Sequence, residues 1–280
     1  MVMGITGFRL PICNFSGADM NAVTAGINIF KAEFISGLIL TKRYWLNMAA
    51  GILNMFLFLV FIQLGIRSFG SGVSAEFMSV KMETLIIGFF SFSIIGVGMG
   101  SVTSRLSDNA ATGILEQTML SPMGVVPVLF FGALTQFVVA LVLYLLLIPF
   151  SMLLCSHFFT VNILSLIFFS ILLWLSSCGV GFALSALTLI YKKTQNFNNL
   201  IQFLILTLMV IPSYPFNVFS LSPVSPQVAI LNKVIVYHQS VGYKWITYTI
   251  LQSGAYFILG CAAFLVAEKY AKKKGILGQY

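Results

Sequence analysis

The sequence predicts an all-α polytopic membrane protein, and two observations carry this prediction. Of its 280 residues, 59% are apolar and only 8% are charged, whereas an ordinary soluble domain has roughly 25% charged residues. A spanning helix needs about 20 mainly apolar residues, and six apolar segments approach or exceed this length. They cover residues 45–66, 84–102, 125–154, 161–191, 197–211 and 246–267.

The same composition excludes other classes of protein. The net charge of +8 is not collected in a basic patch that could follow a phosphate backbone, so nucleic acid is not expected as a partner. The 27 phenylalanines and the long apolar runs exclude a disordered chain.

The orientation in the membrane follows from the distribution of lysine and arginine. With both termini in the cytoplasm, eleven of the 15 cationic residues fall on the inner side, and the outer side keeps four, which are Arg67, Lys81, Lys233 and Lys244. We therefore expect one multi-pass domain over residues 1–280 in the cell membrane. Its predicted parts are a cytoplasmic N-terminus (1–44), a six-span bundle (45–268) and a cytoplasmic tail (269–280).

Residues 23–44 have the pattern of an amphipathic helix lying in the cytoplasmic interface. Ile27, Phe30 and Phe34 recur at steps of three and four on one face. Lys42 and Arg43 would meet lipid headgroups where the first span begins. A plain juxtamembrane anchor without a further role is the alternative.

The longest predicted loop, over residues 212–245, contains a second short apolar run. Residues 228–237 are too few to cross a membrane. This pattern favours an outer re-entrant helix before the sixth span.

The fifth apolar segment begins with a stripe of amides. Steps of three, four and seven place four side chains on one helix face: Gln195, Asn198, Asn199 and Gln202. Because unpaired amides are costly in lipid, this face should point to protein or to a cavity. Two interpretations stay open, namely a lining of the inner end of a pathway and hydrogen bonding between helices.

Small residues recur every four positions in two segments. Gly96, Gly100 and Ser104 lie in the second, and Ser177, Gly181 and Ser185 in the fourth. Such spacing lets helices approach closely, and close packing within the chain is the favoured interpretation.

The connection between the second and third segments is the most informative part of the sequence. Ser107–Asn109 are residue types that begin helices and Pro122 is one that ends them, so a short cytoplasmic helix is predicted over residues 113–120. Its apolar side chains suggest docking into another protein.

Residues 113–122, Gly-Ile-Leu-Glu-Gln-Thr-Met-Leu-Ser-Pro, resemble a signature of the membrane domains of ABC exporters of the second type (ABC-2-type permeases). That signature reads Gly-Thr-Leu-Glu-x-Leu-Leu-x-Ser/Thr-Pro. Ile114 replaces its threonine, and Thr118 and Met119 stand where leucine is common. The resemblance extends to the six spans, the entry helix and the outer re-entrant element.

The resemblance implies that this segment is a coupling helix seated in a cleft of an ATPase subunit. The residues that would make this contact are Gly113, Leu115, Glu116, Gln117, Leu120, Ser121 and Pro122. It also implies a central pathway between two permease copies, or between this chain and a similar permease. The second and fifth spans would face this pathway, and an apolar gate of Phe89, Phe90, Phe92 and Phe203 is one interpretation, with plain packing as the other.

The function expected from the resemblance is export of an amphipathic drug, peptide or lipid-linked molecule from a bacterial cell. Two ATPase subunits would hydrolyse ATP with magnesium, and this chain would hold no cofactor, no metal and no catalytic residue. An exporter of a polysaccharide or a teichoic-acid-like glycan is the alternative. From another class, a stand-alone channel or a membrane enzyme also stays open.

The few charges agree with an external source of energy. Ion-driven carriers usually have ionisable residues inside the membrane, whereas here Glu83 and Arg105 are expected at the two ends of the second span. Energy from a docked ATPase would then reach the spans through the coupling helix.

Overall fold

Apolar residues dominate every long segment of this chain, and all the regular elements of its described part are helical. The computed structural model describes residues 22–43, 45–69, 75–111, 113, 124–155, 160–191 and 195–274. We number the α-helices α1 to α8. Their bounds are Ala22–Arg43, Trp45–Phe69, Ala75–Ala111, Val125–Cys155, Ile163–Tyr191, Gln195–Val210, Ser225–Ile235 and Tyr243–Lys274.

Within the described residues, four helices are long and apolar enough to cross a membrane, namely α3, α4, α5 and α8. The qualifying stretches are Met82–Ala110, Val125–Leu153, Ile163–Tyr191 and Tyr243–Lys274. The shorter apolar stretches Ala49–Ile62 of α2 and Asn196–Val210 of α6 fall below that length. The prediction of membrane-spanning helices is therefore confirmed for four of the six segments.

Helix α5 lies at the centre of the bundle, between α3 and α8. Its contact with α8 is close because Gly179 and Gly260 face each other, and a Cβ atom added to either would collide with backbone atoms of the other helix. The rings of Phe182 and Phe264 pack beside this crossing, with centroids 5.9 Å apart. Small residues thus let two apolar helices approach where lipid supplies no hydrophobic driving force between them.

The contact between α3 and α5 is also built on small residues, but not in the register that the sequence predicts. A Cβ atom on Gly181 would lie 3.0 Å from the Gly98 carbonyl oxygen, and one on Gly98 would collide with Ser177. The interpretation of Ser177 and Gly181 as packing residues is confirmed. Their partner, however, is Gly98, whereas Gly96 faces α6.

Hydroxyl groups inside the long helices are satisfied locally. Ser91 donates to the Ile87 carbonyl at 2.8 Å, Ser185 to Gly181 at 2.8 Å and Thr135 to Phe131 at 2.9 Å. Such bonds to the preceding turn remove the cost of placing a hydroxyl in a medium without water.

Helix α3 is longer than the predicted second span, which ends at residue 102. Ser107–Asn109 lie within its last turns, so the prediction that these residues begin the short helix is wrong. The predicted helix itself, apart from Gly113, lies outside the described residues. Helix α3 continues because Leu106 is fully buried and Ala110 packs against the core. Gly113, with a φ of 72°, donates its N–H to the Ala110 carbonyl, an arrangement that ends helices.

Helix α7, Ser225–Ile235, overlaps the apolar run 228–237 for which the sequence predicts an outer re-entrant helix, but begins three residues earlier. Its 11 residues extend about 16 Å, roughly half the thickness of a hydrocarbon core. Val228, Ile230 and Leu231 are buried against the bundle.

Candidate functional site

The amide stripe of α6 faces a cavity between α6, α3 and α5. The cavity has a volume of about 100 Å³, and its lining includes Asn198, Asn199 and Gln202. Helix α3 contributes Met99, Gly100, Thr103 and Ser104, and α5 contributes Leu184. The structure therefore brings three of the four predicted amides together, while the side chain of Gln195, where α6 begins, lies outside the described part.

Two glycines of α3 leave space next to the amides of α6. A Cβ atom on Gly96 would lie 2.8 Å from Nε2 of Gln202, whereas one on Gly100 would meet no atom within 4 Å. Gly96 thus makes room for the Gln202 amide, and Gly100 leaves the cavity open. Gly96 and Gly100 of α3 therefore lie next to the cavity, whereas Gly98 makes the contact with α5.

The cavity offers hydrogen-bonding groups without charge. The Thr103 hydroxyl donates to the Met99 carbonyl at 3.1 Å, which leaves its oxygen free to accept. Oδ1 of Asn198 is buried, and no donor among the described residues reaches it. A buried acceptor without a protein partner normally binds water or a ligand. The site suits a neutral or amphipathic molecule that carries hydroxyl or amide groups.

The four phenylalanines of the predicted gate do not share one surface in this chain. Phe89 lies 6.0 Å from Phe58 of α2, and Phe90 lies 6.1 Å from Tyr144 of α4, both between ring centroids. Phe203 is exposed on the outer side of α6. Phe92 alone lies on the stripe of α3 that faces α6, since it is four residues from Gly88 and from Gly96.

A second feature joins three helices at the end of α3 that leads to the predicted coupling segment. Arg105 of α3 donates to Glu33 of α1 at 2.5 Å, and about one fifth of each side chain is exposed. The guanidinium also lies against Gly132 of α4, where a Cβ atom would collide with it. From the sequence, Arg105 was expected only at the membrane boundary. The glutamate on α1 is the signal that could have indicated its partner.

Helix α1 is helical over nearly all of the predicted interval, and its aromatic face packs on α4. The centroids of Phe30 and Phe131 are 6.0 Å apart, and Phe34 stacks beside Phe30 at 5.9 Å. A Cβ atom on Gly37 would lie 2.8 Å from a methyl group of Thr135. Lys42 and Arg43 are exposed in the last turn of α1.

The predicted coupling residues lie almost entirely outside the described part of the chain. Gly113 is described, whereas Leu115, Glu116, Gln117, Leu120, Ser121 and Pro122 are not. The described ends of α3 and α4 flank this interval, and the ion pair of Arg105 lies two turns before Gly113. This interval therefore connects two helices that contact α1.

A hydrogen-bonded clamp that no sequence pattern indicated lies at the opposite end of the bundle. Three side chains at four-residue spacing on α8 hold the backbone of residues 220–222. Gln252 Nε2 donates to the Ser220 and Ser222 carbonyls at 3.0 and 2.6 Å, Tyr248 donates to Ser220 at 2.7 Å and Tyr256 donates to Leu221 at 2.5 Å. The spacing of these three residues was visible in the sequence, but the backbone they bind was not.

The segment that leads to α7 is held to its other neighbours as well. Ser176 of α5 donates to the Pro223 carbonyl, and Ser225 donates to the Leu208 carbonyl of α6 at 2.7 Å. Gln227 is buried against Ser253. In the amide orientation that satisfies both atoms, its oxygen accepts from the Ser253 hydroxyl at 2.9 Å and its nitrogen donates to the Val224 carbonyl at 3.1 Å. Residues 213–228 are thereby tied to α5, α6 and α8.

No protein-family model matches this sequence, and no curated protein is similar to it at a significant level.

Proposed function

We propose that this chain is the membrane-spanning permease subunit of an ATP-driven exporter for an amphipathic drug, peptide or lipid-linked molecule. The observation that carries the proposal is the uncharged amide stripe of α6 open to a cavity beside Gly100 of α3. An amide-lined cavity between apolar helices can hold a molecule with both polar and apolar parts. The resemblance of residues 113–122 to the ABC-2 signature supports the same function.

In this proposal α2 and α6 complete a set of six spans. Helix α2 has 25 residues, long enough for a hydrocarbon core of about 30 Å. Helix α6 extends only about 24 Å, and the tethered segment before α7 completes that crossing. A second copy of this chain, or a similar permease, would close the other side of the pathway against the exposed face of α6.

Energy would arrive from two ATPase subunits docked at residues 113–122. The described cavity lining contains no ionisable side chain, which argues against proton or sodium coupling at this place. Movement of the docked segment would shift the ends of α3 and α4 directly, and the Glu33–Arg105 pair would carry it to α1.

The coupling part of the proposal is tested by copurification with a candidate ATPase subunit, for which an ATPase gene adjacent to that of this chain would be the first choice. The double variant Glu116→Arg, Leu120→Asp should lose the ATPase while its level in the membrane stays normal. A matched control, Lys244→Glu with Tyr243→Asp, makes similar changes on exposed residues at the other end of the bundle. Retention of the ATPase by the first double variant would overturn the coupling assignment.

The pathway part is tested by filling the cavity. Gly100→Val places a branched side chain in the open space and should abolish substrate-stimulated ATP hydrolysis in proteoliposomes, whereas Gly100→Ala should leave most of it. Equal activity of the two variants would contradict a pathway at this cavity. Substrate flux without any ATPase present would favour a stand-alone channel.

A further inference from the structure

The end of the bundle farthest from Lys272–Lys274 carries a cluster of aromatic rings and one lysine. Trp245 of α8 is at its centre: its ring lies 4.9 Å from that of Tyr214 and 4.5 Å from that of Phe216, and Phe216 also meets Tyr248 at 4.6 Å. Lys233 of α7 places its ammonium 3.5 Å from the centre of the Tyr214 ring. We call these five residues the distal cluster.

The length of α8 places the distal cluster at the level of lipid headgroups. Twenty-one residues separate Tyr248 from Lys269 on this continuous helix, a rise of about 32 Å. This matches a hydrocarbon core of about 30 Å. When the lysines near Lys269 lie at one surface, Tyr248 and Trp245 therefore lie at the other, where tryptophan and tyrosine are enriched.

Among the described residues no carboxylate forms an ion pair with Lys233, and the sequence contains no Asp or Glu from Gln117 to Ala267. The Tyr214 ring holds the ammonium in place by a cation–π contact but leaves its charge uncompensated. A phosphate group at this level would supply the missing negative charge.

Apolar side chains continue from the distal cluster along the flank of the bundle. Phe216, Val218 and Leu221 expose 62%, 81% and 69% of their surface. The Leu221 carbonyl is bound by Tyr256, two turns further along α8 than Tyr248, so this apolar patch extends from the headgroup level into the hydrocarbon region. A molecule with an anionic head and a long apolar tail fits both parts.

We propose that the distal cluster is a binding site for one anionic phospholipid, with its phosphate on Lys233 and an acyl chain along Phe216, Val218 and Leu221. The site is independent of the exporter function proposed above. Its ligand is a lipid of the surrounding membrane, and the selectivity comes from the ammonium of Lys233, which the Tyr214 ring holds in a fixed position.

The test is native mass spectrometry of the purified chain titrated with phosphatidylglycerol or with phosphatidylcholine of the same acyl chains. The unmodified protein should bind the first about fivefold more tightly, the contribution typical of one lysine near an anionic surface. Lys233→Gln should remove this preference. Lys244→Gln, which removes an exposed lysine next to Trp245, is the matched control and should keep it.

Either of two results on the headgroup preference would overturn the proposal. One is equal affinity of the unmodified protein for the two lipids, and the other is an equal loss of preference in the Lys233→Gln and Lys244→Gln proteins. High salt gives a measurement that needs no variant, because 1 M salt should abolish the preference of the unmodified protein by screening. If Leu221→Ser instead converts a dimer to a monomer and leaves the affinity for both lipids unchanged, the apolar patch is a contact between two copies of this chain and its assignment to an acyl chain is wrong.

Discussion

The ion pair between Glu33 and Arg105 should be a principal attachment of α1 to the bundle. Its two atoms are 2.5 Å apart, and about four fifths of each side chain is covered by protein. The perturbation we consider is a double-mutant cycle of Glu33→Ala, Arg105→Ala and the combined variant. Each single variant leaves the remaining charged side chain largely buried and without its ion-pair partner.

The burial of the pair sets the expected magnitude. Removing one partner of a fully buried pair costs about 3–5 kcal/mol, whereas fully exposed pairs contribute about 0.2–1 kcal/mol. With side chains about one fifth exposed, we expect each single variant to lower the free energy of unfolding by about 2 kcal/mol. The combined variant should lose less than the sum, with a coupling energy of about 1–2 kcal/mol.

Gly132 provides an independent way to displace the same guanidinium. A Cβ atom at this position would collide with Arg105, so Gly132→Ala should destabilise the protein when Arg105 is present. In the Arg105→Ala background the same change should have little effect. Gly51→Ala is the control, because a Cβ atom there meets nothing within 4 Å.

The assay is unfolding in mixed micelles by titration with sodium dodecyl sulfate, followed by circular dichroism. Unfolding free energies that add within about 0.5 kcal/mol across the cycle would refute the reasoning, since independent sites behave in that way. A Gly132→Ala effect of the same size in both backgrounds would refute the placement of the guanidinium.

Three further outcomes follow from the packing and the hydrogen bonds. Gly260→Ala should lower the free energy of unfolding by roughly 1–3 kcal/mol, because α8 must move away from α5 to admit the methyl group. Gly254→Ala is the control and should be neutral, since a Cβ atom there meets no atom within 4 Å. Equal thermal midpoints of the two variants would contradict the close approach of the helices. Gln252→Leu should raise hydrogen exchange at residues 220–222, because the Ser222 carbonyl loses its donor and the Ser220 carbonyl keeps only that of Tyr248, at a cost of about 1–3 kcal/mol. Thr247→Val on the exposed side of α8 should leave the exchange unchanged; unchanged exchange in the first variant would count against the clamp. Asn198→Leu should stabilise the fold by up to about 1 kcal/mol, since it removes the buried Oδ1 atom that has no donor among the described residues. The same variant should impair transport. A less stable variant would show that Oδ1 of Asn198 has a partner in the protein.

Much of the architecture could be predicted from hydropathy alone. The apolar segments coincide with α2, α4, α5, α6 and α8 within a few residues at most of their ends, because a continuous apolar run of this length has few alternatives to a helix. The errors lie at the ends of α3 and α8, which continue beyond the predicted spans. Polar residues such as Ser107 and Lys272 are compatible with a helix that continues beyond the hydrocarbon core. The change from apolar to polar residues therefore does not show where the helix ends.

The site was predictable in one respect and not in another. The spacing of Asn198, Asn199 and Gln202 placed these amides on one face, and the structure turns that face to a cavity. The partner surface was not predictable, because Gly96 and Gly98 are both small and only the rotation of α3 decides which of them meets α5. The pairing of Glu33 with Arg105 depends on the packing of α1, which no local pattern specifies.

The contact between α5 and α8 at Gly179 and Gly260 has a consequence for biogenesis, because α8 is synthesised after α5. Helix α8 is the last of the described helices to leave the ribosome, and it supplies both the closest contact of the central helix at Gly179 and the donors that hold residues 220–222. Until α8 has inserted, the nascent chain presents an open groove on α5 and unbound carbonyls after residue 219. The bundle therefore stays incomplete in the membrane while about 50 further residues are translated, which takes roughly 3–10 s. Premature termination in that interval would leave a chain suited to recognition by membrane proteases.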